Sequence, residues 1–561
     1  MSLDEAVDAR LAQARAWLRQ DPDAETRDEL AGLITRAASG DETARHDLDD
    51  RFRTRLAFGT AGLRGALGAG SNRMNRVLVS QAAAGFAAYL HARAQGQTPT
   101  VVIGYDGRRN SRRFAQDSAE IFAGAGLKAI LLPRLLPTPV LAFAVRHLGA
   151  DAGVMVTASH NPPNDNGYKV YLGGTEDGSQ IVSPADAEIA AYIERVAKAG
   201  DIGILPHSTQ YEIAGEDVVD AYVAATAAIA PAPSSARGLT WVYTAMHGVG
   251  WETFARIIDA AGYPRPKTVG EQLNPDATFR TVAFPNPEEP GAMDLAFAAG
   301  RRTRADFILA NDPDADRLAV AIPDESAKGG WRRLTGNEIG LLLGARAARA
   351  AEGTPGASLA CSLVSSPGLG AIAAHHGLDF HETLTGFKWI SRAPGMVFGF
   401  EEALGYLVNP ETVRDKDGIS AAVAVLGLAA EARERGETLA DQLAQLGEIY
   451  GHFASGQVAV RVDDLSIIGK VMLSLRTLPP THIGGAQVEA VEDLLQAAPG
   501  LPSGDVLRYR VAGGTRIIVR PSGTEPKLKV YIDAQAASAT EAAETVAETE
   551  AGVRALLEER S

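Results

Sequence analysis

Thr100–Arg109, TVVIGYDGRR, pass from an apolar, β-branched run into a Gly-containing loop, and a helical pattern then carries the chain to Gly126 and a second apolar run, Leu127–Leu132. Strand, loop, helix and strand is the order of an α/β unit, with glycine at the helix end where a left-handed residue costs least. The plan recurs twice. LTWVYTAMHGVG (Leu239–Gly250) leads to Gly262 and the run toward Val269, and SLACSLVSSPG (Ser358–Gly368) leads to Gly377 and LDFHETL (Leu378–Leu384). The copies agree in pattern rather than identity, and the reading is three similar α/β domains.

Outward from these units, Val7, Leu11, Ala14 and Leu18 recur at the spacing of an amphipathic helix, which is no signal peptide. Beyond about residue 450 the plan changes to strand-like HFASGQVAVRV (His452–Val462), then TRIIVR (Thr515–Arg520) and KLKVYI (Lys527–Ile532), with an Ala- and Glu-rich helix at the end. That is a fourth, smaller α+β domain. Candidate seams are Pro231–Ser235, the polar stretch Pro323–Arg333 and the region of Tyr450. A chain of 561 residues exceeds what one core supports, and 46% hydrophobic with 22% charged residues is an ordinary globular composition. The formal charge of -15 repels nucleic acid and anionic membrane, so an anionic substrate needs a locally basic pocket. The single cysteine, Cys361, excludes an intramolecular disulfide and a multi-thiolate metal site, and it reads as a core residue. The most apolar stretch, Ala421–Ala430, is too short to span a bilayer, and a cytoplasmic protein is expected.

Four loops carry the chemistry. TASHNPPNDNGYKVY (Thr157–Tyr171) begins where the apolar run AGVMV ends, and its Asn-Pro and Asn-Gly turns display Ser159, His160 and Lys169. Ser159 is a candidate nucleophile, without the glycines of a hydrolase elbow. In NDPDADR, Asp312, Asp314 and Asp316 alternate after a strand-like run. Like charges so close repel strongly, and a hard cation with oxygen ligands is the economical explanation. An EF-hand is excluded by Arg317 and Pro323 where that loop needs Gly and Glu. GFEEALGY (Gly399–Tyr406) ends a third apolar run with Glu401 and Glu402, acids suited to sugar hydroxyls. RPSGTEPK sets Arg520 before Ser522, Gly523 and Thr524, a plausible phosphate cradle, with Lys527 beyond. Thr60, Arg64, Arg108, Thr385, Lys388, Arg414 and Lys416 recur in loops after apolar runs and suggest one basic cleft. No complete phosphate-loop or dinucleotide fingerprint is present, so nucleotide and NAD chemistry are unsupported.

In this order and at these separations, the four motifs resemble the active-site loops of the α-D-phosphohexomutase superfamily, over about Arg55 to Tyr531, and within it the phosphoglucomutase/phosphopentomutase (phosphoglucomutase-2-like) branch. The resemblance implies three related α/β domains and a C-terminal TATA-binding-protein-like domain around a central cleft. The expected division is 1–209, an N-terminal helical extension and phosphoserine domain; 210–325, metal-binding; 326–450, sugar-binding; and 451–561, phosphate-binding. It implies that Ser159 is the phosphoserine and that Asp312, Asp314 and Asp316, with a phosphoserine oxygen, hold Mg²⁺. It further implies that Glu401 grips sugar hydroxyls and that Arg520, Ser522, Gly523 and Thr524 hold the distal phosphate, while Arg64, Arg317, Thr385 and Lys416 match positions that contact the sugar bisphosphate. Ala403 departs from the pattern that has serine beside the sugar, which puts a strict hexose preference in doubt. The expected activity is phosphoglucomutase, with glucose 1,6-bisphosphate as intermediate and activator and mannose phosphates as further substrates. Phosphopentomutase and hexose-bisphosphate synthase are alternatives with the same serine, and an inactive sugar-phosphate-binding regulator is a remote one. Lys169, His160 and Lys416, in that order, are candidate bases, and a monomer or homodimer is expected.

Overall fold

Each apolar run of the three copies is a strand. The computed structural model describes residues 3–59, 62–327, 329–462, 464–496, 503–522 and 527–560. The first sheet has β1 (Leu63–Ala66), β2 (Thr100–Tyr105), β3 (Lys128–Leu131), β4 (Ala152–Val156), β5 (Asp165–Leu172), β6 (Ser179–Gln180) and β7 (Glu212–Ile213). The second has β8 (Trp241–Thr244), β9 (Lys267–Thr268), β10 (Phe307–Asn311), β11 (Leu318–Pro323) and β12 (Trp331–Arg333), and the third β13 (Ser358–Ser362), β14 (Asp379–Thr383), β15 (Met396–Glu401) and β16 (Gly405–Leu407).

The expected units are present, with helices Ser111–Gly124, Gly250–Ala261 and Gly368–His375 following β2, β8 and β13. In every copy the strand after the helix lies parallel on one side of the first strand, and a third parallel strand lies on the other. That third strand then turns back into an antiparallel partner: β4 into β5, β10 into β11, β15 into β16. The common order is β5-β4-β2-β3, β11-β10-β8-β9 and β16-β15-β13-β14. Three of the four motifs occupy the equivalent reversal.

The reversals share a backbone device. Ser159, Ala315 and Leu404 take φ of 50°, 57° and 61°. A left-handed residue without glycine costs energy that surrounding structure must over-determine, and such residues gather at functional sites.

The chain forms two compact units, 1–333 with 409–430, and 334–408 with 431–561. The first holds the N-terminal helices Leu3–Gln20, Ala24–Ala38 and Glu42–Phe52, capped by Asp23 and Asp41, around a cluster of Leu11, Ala14, Trp17, Leu30, Leu33 and Phe52. It also holds the first two sheets, and β4 and β10, which carry two of the motifs, are buried throughout. Strands shielded on both faces read as continuous apolar runs, which is why their ends were easy to see in the sequence.

The polar stretch Pro323–Arg333, expected as a seam, carries the antiparallel β11–β12 pair, and the first unit ends at Arg333. Residues 409–430, expected in a sugar-binding domain of 326–450, group with the first unit. Arg146 Nη1 donates to the carbonyls of Pro410 and Glu411, Tyr171 Oη donates to Asp415, and Tyr222 Oη donates to Asp417. Polar anchors of this kind leave no hydrophobic periodicity in sequence.

In the second unit β17 (His452–Arg461), β18 (His482–Ile483), β19 (Ala486–Asp493), β20 (Leu507–Val511), β21 (Arg516–Pro521) and β22 (Lys527–Ala536) form an antiparallel sheet in the order β17-β22-β21-β20-β19-β18. Helices Leu465–Thr477 and Ala539–Arg560 accompany it, the latter burying Val546, Val553 and Leu557 in the sheet's core. Cys361 is buried in β13. Among the described residues no helix is long and apolar enough to cross a membrane.

Candidate active site and metal centre

Ser159 sits in the β4–β5 reversal with 2% of its surface exposed. Its amide donates to Thr157 Oγ1 at 2.8 Å, which fixes the left-handed turn. Its Oγ donates to Asp312 Oδ2 at 2.9 Å and lies 3.1 Å from His160 Nδ1. The hydroxyl read from the first motif and the carboxylate read from the second, 153 residues apart, are thus in direct contact.

Asp312, Asp314 and Asp316 are each 0% exposed, and one oxygen from each can be chosen so that all lie within 4.8 Å of one another. Alternation around left-handed Ala315 turns all three inward. Burial, with Asp314 and Asp316 alongside, pushes the Asp312 carboxyl well above its ordinary range. Burial acts the same way on Asp316, but Lys169, Lys416 and Arg317 outweigh it and hold that carboxyl below its ordinary value. Asp314 is also held low despite burial, by Lys169 and the Thr138 hydroxyl. Lys169 Nζ reaches Asp314 Oδ2 at 2.8 Å and Asp316 Oδ2 at 2.7 Å, and Lys416 Nζ lies 3.3 Å from Asp316.

The remaining oxygens test the fit to a cation. Asp314 Oδ1 and Asp316 Oδ1 are buried and accept no hydrogen bond from any described residue. Buried acceptors are normally satisfied, and three all-oxygen donors converging on one point suit a hard divalent ion. The residues present fit a bound Mg²⁺.

A cationic rim surrounds the serine loop. Arg64 Nη1 donates to Asn161 Oδ1 at 3.2 Å, and the Arg317 amide donates to Asp312 Oδ1 at 3.0 Å. Burial, then Arg317 and Arg64, drives the His160 imidazole well below its usual value, so it is neutral at physiological pH.

In the second unit, Glu402 and Glu401 diverge as neighbours at a strand end must. Glu402 Oε2 accepts from Ser362 and Ser365 at 3.3 Å each, which commits it to the fold. Glu401, Ala403, Thr385 and Lys388 are half-buried, Lys388 in the short helix Phe387–Ile390. Arg520 lies near the end of β21, half-buried, and the Ser522 amide donates to Lys527 O at 2.8 Å to close the start of the hairpin. Thr60, Gly523 and Thr524 lie outside the described residues.

Comparison with known proteins agrees with this arrangement. Family models for phosphoglucomutase/phosphomannomutase match along the chain: alpha/beta/alpha domain I over residues 55–200, domain II over 220–326, domain III over 335–450 and the C-terminal domain over 458–551. The chain belongs to the phosphoglucomutase/phosphomannomutase family. Among curated members of this α-D-phosphohexomutase superfamily, a "Probable phosphomannomutase" of Haemophilus influenzae is 53% identical over 86% of this chain and 98% of its own. The human phosphopentomutase is 36% identical over 94% of this chain and 92% of its own. A phosphoglucomutase/phosphomannomutase family protein from Burkholderia thailandensis has the same fold, with a TM-score of 0.66 at 20% identity over 90% of this chain and 98% of that one.

Within this family framework three expected site residues acquire different surroundings. Arg108, expected at the substrate, is buried beneath the serine loop, where Nη1 and Nη2 donate to the carbonyls of Ser159, Asn161, Pro162 and Asp165. It holds the loop's shape. Arg414 pairs with Asp177 at 3.0 Å, and the same carboxylate takes Arg146. Lys169, the first choice as base, is a buried ammonium between two carboxylates that hold it above its ordinary value against the effect of burial. Its ammonium pairs with both acids. Residues missed in the sequence are Thr138, which donates to Asp314 Oδ2 at 2.6 Å, and Asp415 and Asp417, which anchor the segment carrying Lys416. Thr138 offered no signal beyond its place at a helix start.

Proposed function

We propose that the chain is a phosphohexomutase, an intramolecular phosphotransferase that interconverts the 1- and 6-phosphates of glucose and mannose by way of a phosphoserine at Ser159. The observation that carries this reading is Ser159 Oγ, strained into a left-handed turn and 2.9 Å from an aspartate of the buried triad. Ser159 lacks the glycines of a hydrolase elbow, and its Oγ lies beside a cation site, as phosphoryl transfer requires.

Phosphoserine gives its phosphoryl group to the free hydroxyl of a bound sugar phosphate: the P–Oγ bond breaks, a P–O bond to the sugar forms, and the sugar hydroxyl's proton passes to the freed Oγ. The resulting 1,6-bisphosphate then returns its other phosphoryl group to Oγ. His160 Nδ1, neutral and 3.1 Å away, is placed to accept the Oγ proton in that return. Asp312, Asp314 and Asp316, with a phosphoserine oxygen, would hold Mg²⁺, which when bound draws charge from the transferring phosphoryl oxygens. Arg64, Arg317 and Lys416 attract the substrate's phosphate on a chain whose net charge would repel it. Glu401 is assigned to sugar hydroxyls and the Arg520 turn, with Ser522, Gly523 and Thr524, to the distal phosphate. Glucose 1,6-bisphosphate would charge a dephosphorylated serine.

A second reading, phosphopentomutase, is favoured by the human relative and by Ala403. Intact-mass measurement after incubation with glucose 1,6-bisphosphate should show one added phosphoryl group, absent in Ser159→Ala, which should keep its melting temperature and lose at least 10³-fold in turnover. Near parental turnover in that variant would refute the phosphoserine. Rates with glucose 1-phosphate, mannose 1-phosphate and ribose 1-phosphate then decide the sugar, and a dominant ribose activity overturns the hexose reading.

A further inference from the structure

The first unit contains a cavity of about 650 Å³ that the mutase reaction does not use, bounded by the helix Leu3–Gln20, by residues 52–55 and by the end of the helix Ala185–Ala199. Arg19, Arg53, Arg55 and Lys198 line it with Glu194 and Asp201, Lys198 pairing with Glu194 at 3.4 Å and Arg53 with Asp49 at 3.8 Å. On a chain of formal charge -15 that is a local reversal of sign. Trp17 lines it as well, only 6% exposed, and its buried indole N–H has no acceptor among the described residues. A buried donor without a partner forfeits its hydration for nothing in return unless a ligand or water meets it.

Arg55 sharpens the chemistry. Its Nη2 donates to Gln81 Oε1 at 2.5 Å, which aims the guanidinium while leaving its other donors uncommitted among the described residues. Burial depresses its pKa despite Glu194 nearby, the condition an incoming anion relieves. Arg55 and Glu194 are also shared with a second cavity of about 430 Å³ whose wall is otherwise apolar, including Leu56, Phe58, Leu63, Leu78 and Ile193. A cationic chamber with an aromatic N–H therefore adjoins an apolar slot, with a guanidinium at their junction.

We propose that these two chambers form a binding site for an amphipathic organic anion, a phosphate or carboxylate headgroup on a ring or short apolar body. Arg55 takes the headgroup, with Arg19 and Arg53 adding charge and Trp17 in the wall beside them, and the apolar slot takes the body. Planar bidentate recognition is the reason an arginine at the junction suits either headgroup.

Phenyl phosphate is the probe, with inorganic phosphate as the headgroup alone. The chain's 5 tryptophans can be labelled as 5-fluorotryptophan, and Trp17→Phe assigns the Trp17 resonance in the ¹⁹F spectrum. Phenyl phosphate should shift that resonance saturably, with inorganic phosphate binding at least tenfold more weakly. Arg55→Gln should weaken phenyl phosphate at least tenfold and Arg53→Gln at least threefold, both variants retaining parental turnover as evidence of an intact fold. A Trp17 resonance that phenyl phosphate leaves unmoved, equal affinity for the two probes, or undiminished binding in both arginine variants would overturn the proposal.

Discussion

Lys169 lies with its ammonium between Asp314 and Asp316, and among the described residues nothing else so close neutralises both. Removing one partner of a buried ionic cluster leaves the others charged and desolvated, at a cost of about 3–5 kcal/mol. Lys169→Met should therefore lose stability of that order in urea denaturation with chelator present. A divalent cation competes for the same carboxylates, so Mg²⁺ should restore more stability to the variant than it adds to the parent chain; equal gains would separate the ammonium from the cation site. Asp417 is a second residue whose surroundings set a measurable quantity. Its carboxyl accepts from Tyr222 Oη and from the amides of Ile419 and Ser420, yet burial outweighs these bonds and pushes it up to about 6 from 3.8. A carboxyl raised on folding contributes stability that is complete below its unfolded pKa and disappears as pH rises through the folded one. Between about pH 4 and pH 7 the parent should lose roughly 3 kcal/mol relative to Asp417→Asn, from about two pKa units at 1.36 kcal/mol each. Parallel stability curves for the two proteins would show that the carboxylate is not strained by burial. The sequence disclosed neither role, because an acid in VRDKDG looks like any solvated loop until its tyrosine partner, 195 residues away, is known.

At the scale of elements, three strand–helix–strand units were visible because their buried first strands, β2, β8 and β13, are largely apolar and lead into loops and helices. What escaped was the equivalence of the reversals that follow. Ser159, the aspartates and Glu401–Glu402 were found as separate motifs, whereas all three are one structural position repeated, each at the turn into an antiparallel partner and each with one left-handed, non-glycine residue. Nothing in periodicity marks a positive φ at Ser, Ala or Leu. Glycine is required elsewhere in the same machinery. A Cβ on Gly418, at the start of the helix Gly418–Glu434, would lie 2.2 Å from Arg317 O and 2.5 Å from Arg317 C. The backbone of the aspartate loop has no room to yield. Gly418→Ala should cost about 1–3 kcal/mol, and because it wedges Lys416 and Arg317 apart from the triad, turnover should fall further than stability predicts. Thermal melts set beside steady-state rates check this, and a variant with parental kcat/KM would show that the close approach has no bearing on the site.

For the whole molecule, the division of the chain decides where a cation can act. Ser159, the three aspartates, Lys169 and Lys416 all belong to residues 1–333 and 409–430, while Glu401 and Arg520 belong to the other unit. Lys416, in the expected domain of 326–450, groups with the first unit through the polar anchors of 409–417 on Arg146, Tyr171 and Tyr222. Metal binding stabilises what the metal binds, by an amount that grows with free ion over dissociation constant. Mg²⁺ without sugar phosphate should therefore slow amide exchange in peptides covering 157–169, 311–317 and 409–418. Peptides covering β20 and β21, 507–521, should exchange at the same rate with Mg²⁺ or chelator. Hydrogen exchange by mass spectrometry reads both sets in one experiment, at matched ionic strength so that screening of a chain at -15 does not imitate binding. Equal slowing in 507–521 would mean that the first unit alone does not hold the cation, and that the triad oxygens without a hydrogen bond among the described residues are satisfied by some other means.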